Sequence, residues 1–122
     1  MTTILLIDDE HAIVELLSLL LEDEGYEVLT AFNGEEGFTW ITRRRPALVL
    51  CDLMMPVLGG RDLYRRMQDD PGYRTIPFVM MSAVTTAITQ VDPPYAAVID
   101  KPFDVDAVLA IVEQLAPPSS VP

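Results

Sequence analysis

A single cysteine in 122 residues leaves no internal disulfide, so the fold must rest on its own core. Cys51 lies in an apolar run and reads as a small buried strand residue rather than a reactive thiol. Basic residues are scarce as well. Eight Lys and Arg against nineteen Asp and Glu give a formal charge of -11, which repels phosphate backbones and argues against direct nucleic-acid binding. The one basic cluster, Arg43-Arg44-Arg45, follows a helical pattern and precedes Pro46, where cations complement a helix C-terminus. No uncharged apolar run nears the roughly 18 residues of a membrane span, and no signal-peptide pattern precedes the first strand. A cytoplasmic chain without membrane contact is therefore expected. The only histidine, His11, reads as an exposed first-turn residue rather than a ligand.

What remains is ordinary globular composition, half apolar and 22% charged. One domain of this length buries roughly two thirds of its unfolded surface. Short apolar runs, Ile4 to Ile7, Ala47 to Cys51, Pro77 to Met81 and Ala96 to Ile99, alternate with helical patterns. After Asp9 the residues Ile13, Val14, Leu16, Leu17, Leu20 and Leu21 recur at three and four positions, and Gly25 ends the stripe. Tyr26 to Ala31 alternates like a strand, and Asn33 is placed to cap a helix carrying Phe38 and Ile41 until Pro46 forbids continuation. Met55-Pro56 and Gly59-Gly60 form a loop before a helix with Leu63, Tyr64 and Met67. Thr85 to Gln90 suggests a short helix of modest quality, stopped by Pro93-Pro94. Asp104 caps a final helix with Val105, Val108, Leu109, Val112 and Leu115 on one face.

Five alternations of strand and helix, with continuous rather than alternating apolar strands, predict an α/β fold: a single doubly wound (βα)5 domain with a parallel sheet covered on both faces. Residues 1–116 form the domain in this reading, and 117–122 form a Pro/Ser-rich tail or the start of a linker.

A parallel sheet brings its strand ends to one rim, where open α/β folds bind ligands. Asp8 and Asp9 follow the first run, Asp52 the third and Ser82 the fourth, while Lys101 stands just past the fifth. Two carboxylates roughly 4 Å apart repel by about 4 kcal/mol at an effective dielectric near 20, so such a cluster calls for a cation. Oxygen ligands in an open hydrated site suit Mg²⁺ or Mn²⁺. Lys101 offers a compact charge to a phosphate oxygen, and Ser82 a hydroxyl donor. A carboxylate such as Asp52 can attack a phosphoryl group and form an acyl phosphate.

In this order, Asp8-Asp9, Asp52 with Met55-Pro56 and Gly60, Ser82-Ala83 and Lys101-Pro102-Phe103 resemble a response-regulator receiver domain of two-component signalling, over residues from about 3 to 116. The resemblance implies a flavodoxin-like strand order 2-1-3-4-5. It also implies that Asp9, Asp52 and the backbone carbonyl of Met54 hold the metal, with Asp8 acting through water. Asp52 would take a phosphoryl group from a sensor histidine kinase or phosphotransfer protein, next to Ser82 and Lys101. At most, self-phosphorylation and slow autodephosphorylation follow, not conventional turnover. A downstream effector protein or domain, and a dimer that depends on phosphorylation, are the further partners implied. The Lys101–Pro102 bond would be cis.

The chain departs from that family at Val98, where an aromatic switch residue is usual three positions before the lysine. Tyr95 substitutes only if the local alignment is bulged. The interval from Ser82 to Lys101 is short, which predicts a truncated or irregular helix there and altered coupling to the output surface. Met54 and Val84 are apolar where side chains flank the attacking water, so dephosphorylation should depend little on them. The alternative reading is a receiver-shaped interaction module acting without phosphorylation. An aspartate-nucleophile phosphatase would want an Asp where Glu10 stands.

Overall fold

The computed structural model describes residues 1–83 and 93–119. Five strands, β1 (Thr3–Ile7), β2 (Glu27–Ala31), β3 (Leu48–Asp52), β4 (Phe78–Ser82) and β5 (Ala97–Asp100), form one parallel sheet in the order β2-β1-β3-β4-β5. Among the described residues four helices cover it: α1 (His11–Asp23), α2 (Gly34–Arg44), α3 (Gly60–Gln68) and α4 (Val105–Leu115). The expected helix at 85–90 and the position of Val84 lie outside the described residues.

Side chains alternate across a strand, so a run that is apolar at every position feeds two cores. Ile4, Leu6, Leu48 and Leu50 face α1 and α4, packing with Val14, Leu17, Leu21, Val108 and Val112. Leu5, Ile7, Val49 and Cys51 face α2 and α3, packing with Ile41, Leu63 and Met67. All residues of β3 and β4 are buried. The fifth strand corrects the expectation of continuous burial: at the sheet edge Ile99 is buried, but Val98 is 41% exposed and Asp100 faces solvent.

The helix boundaries follow local chemistry. Asn33 accepts a hydrogen bond from the Glu36 N–H and caps α2, whose last turn carries Arg43 and Arg44. Asp104 accepts from the Asp106 N–H and caps α4. Gly25 takes φ +97° beyond the end of α1, a backbone geometry that favours glycine. Gly60 opens α3 where a Cβ would stand 2.7 Å from the Asp52 carbonyl oxygen. That close approach lets α3 start directly over the end of β3.

Candidate functional site at the carboxyl ends of the strands

Asp8 follows β1, and its carboxylate is fully buried, accepting a hydrogen bond from the Glu10 N–H at 2.9 Å. Asp9 is exposed beside it. Asp52 and Ser82 are the last residues of β3 and β4, 7% and 3% exposed. Lys101 directly follows β5 and precedes Pro102 through a cis peptide bond, and its N–H donates to the Ser82 carbonyl at 2.8 Å. The parallel register thus carries all five sequence-assigned side chains to one rim.

The ammonium of Lys101 lies 2.6 Å from Asp8 Oδ2, 3.1 Å from Asp52 Oδ1 and 3.2 Å from Glu10 Oε1. Its side chain is only 8% exposed. One carboxylate oxygen each from Asp8, Asp9 and Asp52 lies within 4.8 Å of the others. A cavity of about 270 Å³ opens here, lined by Asp9, Glu10, Asp52, Leu53, Met54, Ser82, Ala83 and Lys101. Met54, assigned from the sequence through its backbone carbonyl, borders the cavity while its side chain is 74% exposed.

Burial, reinforced by the charge on Asp8, pushes the Asp52 carboxyl up to about 6. Burial raises Asp8 too, against the hydrogen bond from Lys101. Burial acts to lower the Lys101 ammonium, but its hydrogen bond and attraction to Asp8, joined by Asp52, outweigh this, and its pKa is raised. The Cys51 thiol is held well above its usual range by burial and by Asp52, which keeps it protonated and unreactive.

Glu10 has no site role in the sequence reading, yet its carboxylate reaches Lys101 from the N-cap position of α1. The signal was the unbroken Asp8-Asp9-Glu10 triplet after a strand, since any residue there sits on the ligand-binding rim. His11 stacks on Phe32 at 4.1 Å between ring centroids, a packing role in keeping with its exposed first-turn position. Tyr95 packs against Tyr64 and Phe78, at the opposite end of β4 from Ser82. Four residue steps along the strand take Phe78 to Ser82, about 13 Å, so Tyr95 does not stand in for the missing aromatic.

Comparison with known proteins accords with this arrangement. The profile of the response regulator receiver domain matches residues 4–113. The DNA-binding dual master transcriptional regulator RpaA of Synechocystis is 36% identical over 118 residues, covering 94% of this chain and 49% of that protein. The chain spans about half the length of the first curated relatives it matches. Among solved structures, the chemotaxis response regulator CheY4 of Vibrio cholerae superimposes with a TM-score of 0.86 at 25% identity, covering 94% of this chain and 98% of that one. The receiver domain of the Pseudomonas aeruginosa sensor histidine kinase PA1611, solved with magnesium in its active site cleft, shares the fold with a TM-score of 0.85 at 21% identity, over 93% and 96% of the two chains. The chain belongs to the response regulator receiver domain family of two-component systems. Among the described residues no helix is long and apolar enough to cross a membrane.

Proposed function

We propose that this domain is a phosphorylation-dependent switch with Asp52 as phosphoacceptor. The observation that carries the proposal is the Lys101 ammonium held between Asp8 and Asp52 in a cavity that Ser82 also lines. An Asp52 carboxylate oxygen attacks the phosphorus of a phosphohistidine on a sensor kinase or phosphotransfer protein. The O–P bond forms as the N–P bond breaks, and the departing imidazole takes a proton from solvent. Lys101 stands 3.1 Å from Asp52 Oδ1, where its charge balances a phosphoryl oxygen, and Ser82 offers a hydroxyl from the next strand.

The donor set fits a hard divalent cation: three carboxylates converging within 4.8 Å, two of them buried and pushed toward protonation. Asp8, Asp9, Asp52 and the Met54 carbonyl would hold Mg²⁺ or Mn²⁺, which when bound neutralises charge developing on the phosphoryl oxygens. Residues 1–116 form the switch in this reading, and 117–122 are a Pro/Ser-rich tail or the start of a linker. The charge of -11 supports a role in which this domain does not itself contact nucleic acid; the DNA binding named for RpaA is that protein's own.

Treatment with acetyl phosphate and Mg²⁺ should raise the intact mass by one phosphoryl group, and Asp52→Asn should abolish the gain. An unchanged wild-type mass overturns the proposal. A second reading, a receiver-shaped interaction module that works without phosphate, is favoured by the exposed, non-aromatic Val98. Partner binding that is indifferent to Asp52→Asn would select it.

A further inference from the structure

The opposite rim carries a second group of acids. The helix α1 ends on Glu22 and Asp23 and is capped by Glu24, with no basic residue in its last turn. These acids stand at the negative pole of the helix dipole, whereas α2 and α3 place arginines there. On α4, Asp106, Leu109 and Glu113 fall at helical spacing on one face. Between these elements lies a cavity of about 220 Å³, bordered by Glu24, Tyr26, Asp106 and Glu113, with Leu109 and Pro118 supplying apolar wall.

Tyr26 is the independent observation. The residue is only 3% exposed, yet its hydroxyl has no hydrogen-bond partner among the described residues. Buried hydroxyls without partners are uncommon because each forfeits the bonds it would make to water. Burial, then the charges of Glu113 and Glu24, raise the Tyr26 pKa, so the phenol stays neutral and its oxygen can accept an N–H. None of Glu24, Asp106 and Glu113 forms an ion pair among the described residues.

We infer that this cavity binds an alkylguanidinium, with its fork of N–H donors toward Glu24, Glu113 and the Tyr26 oxygen, whose surroundings carry those two charges, and its methylene stem along Leu109 and Pro118. A guanidinium suits the site better than an ammonium because it presents five donors in a plane and is more weakly hydrated, so it loses less on meeting an apolar wall. The same chemistry arrives as a free small molecule or as an arginine side chain on a peptide. This site is independent of the phosphoryl chemistry at Asp52.

The test is a titration of the isotope-labelled 122-residue chain with n-butylguanidinium at low ionic strength, read by amide chemical shifts. Saturable shifts centred on Glu24, Tyr26, Asp106 and Glu113 are expected, retained in Asp52→Asn and weakened about tenfold in Glu113→Gln, the loss of one charge-assisted hydrogen bond. Tyr26→Phe should weaken binding while keeping the fold, since it deletes a hydroxyl that has no partner. A second arm uses the tripeptide amide acetyl-Gly-Arg-Gly: tighter binding than n-butylguanidinium identifies the arginine side chain, and equal or weaker binding identifies the free cation. Shifts spread over all acidic surfaces, shifts confined to the Asp8, Asp9 and Asp52 rim, or binding unchanged in Glu113→Gln would each overturn the inference.

Discussion

At the carboxyl rim three carboxylates converge within 4.8 Å, and the ammonium that answers them is built into the same chain and buried with two of them, Asp8 and Asp52. At the amino rim Glu24 and Glu113 border a cavity beside a hydroxyl that has no partner among the described residues, and no base of the described chain pairs with them. The two rims thus distribute electrostatic cost differently. At the first, desolvation shifts protonation equilibria and couples the site to folding; at the second, exposed carboxylates stay hydrated and charge weighs on binding more than on stability. The turns differ too. Gly25 supplies a positive φ of +97° at the amino rim, whereas the loop after β3 forces Val57, a β-branched residue, to +68°.

Removing the internal cation is the largest perturbation. Lys101→Met should destabilise the metal-free domain by about 3–5 kcal/mol in urea unfolding at pH 7, because it leaves Asp8 and Asp52 buried without their partner. Glu113→Gln at the other rim should stay within about 0.5 kcal/mol, as surface substitutions usually do. Equal effects at the two rims would break the comparison.

Protonation sharpens it next. The folded-state value of Asp52 is about 6 against an ordinary 3.8, so between these values the folded chain binds more protons than the unfolded one. Its contribution therefore favours folding below about pH 4 and is lost as pH rises through about 6, a change of about 3 kcal/mol in the metal-free protein. The Lys101 pKa is raised from 10.5, so its share stays constant over this window. The stability difference between wild type and Asp52→Asn, followed from pH 4 to 7 in chelator, should show this slope. At pH 7, saturating Mg²⁺ should restore about 2.7 kcal/mol to wild type at 100 times its Kd, and much less to the variant. A flat difference curve would mean that Asp52 is better solvated than its burial implies.

Much of the carboxyl rim was legible in the sequence. Asp8, Asp9, Asp52, Ser82 and Lys101 converge because a parallel sheet sends every strand end the same way, so position along the chain was enough to collect them. The caps at Asn33 and Asp104 were equally readable, since their chemistry is local. Glu10 was not singled out: its reach to Lys101 depends on the angle at which α1 leaves the strand. The exposure of Val98 was hidden for another reason, because an edge strand and a central one share the same apolar alphabet. The groove at Tyr26 was illegible, since it joins the end of α1, the start of β2 and one face of α4, which only packing brings together.

Backbone strain at the carboxyl rim gives a smaller effect. Val57 is 78% exposed, so Val57→Gly removes little packing while relieving a left-handed geometry that a β-branched residue tolerates poorly. The unfolded chain gains entropy from glycine, which offsets part of the benefit. A net stabilisation of about 0.5–1 kcal/mol in urea unfolding is expected. Destabilisation would mean that the Val57 side chain holds the loop over Asp52 in solution.

The smallest expected effect lies at Met54, two residues beyond the phosphoacceptor. Its side chain is 74% exposed and has no group able to orient an attacking water, while its proposed role runs through the backbone carbonyl, which substitution leaves in place. Met54→Ala should therefore leave both stability and the lifetime of the phosphorylated domain unchanged, the latter followed by loss of the phosphoryl mass with time. Faster decay would show that the thioether shields the phosphoryl group from water. The carboxyl rim would then control solvent access with an exposed apolar side chain as well as charge with a buried lysine, a device without counterpart among the acids of the amino rim.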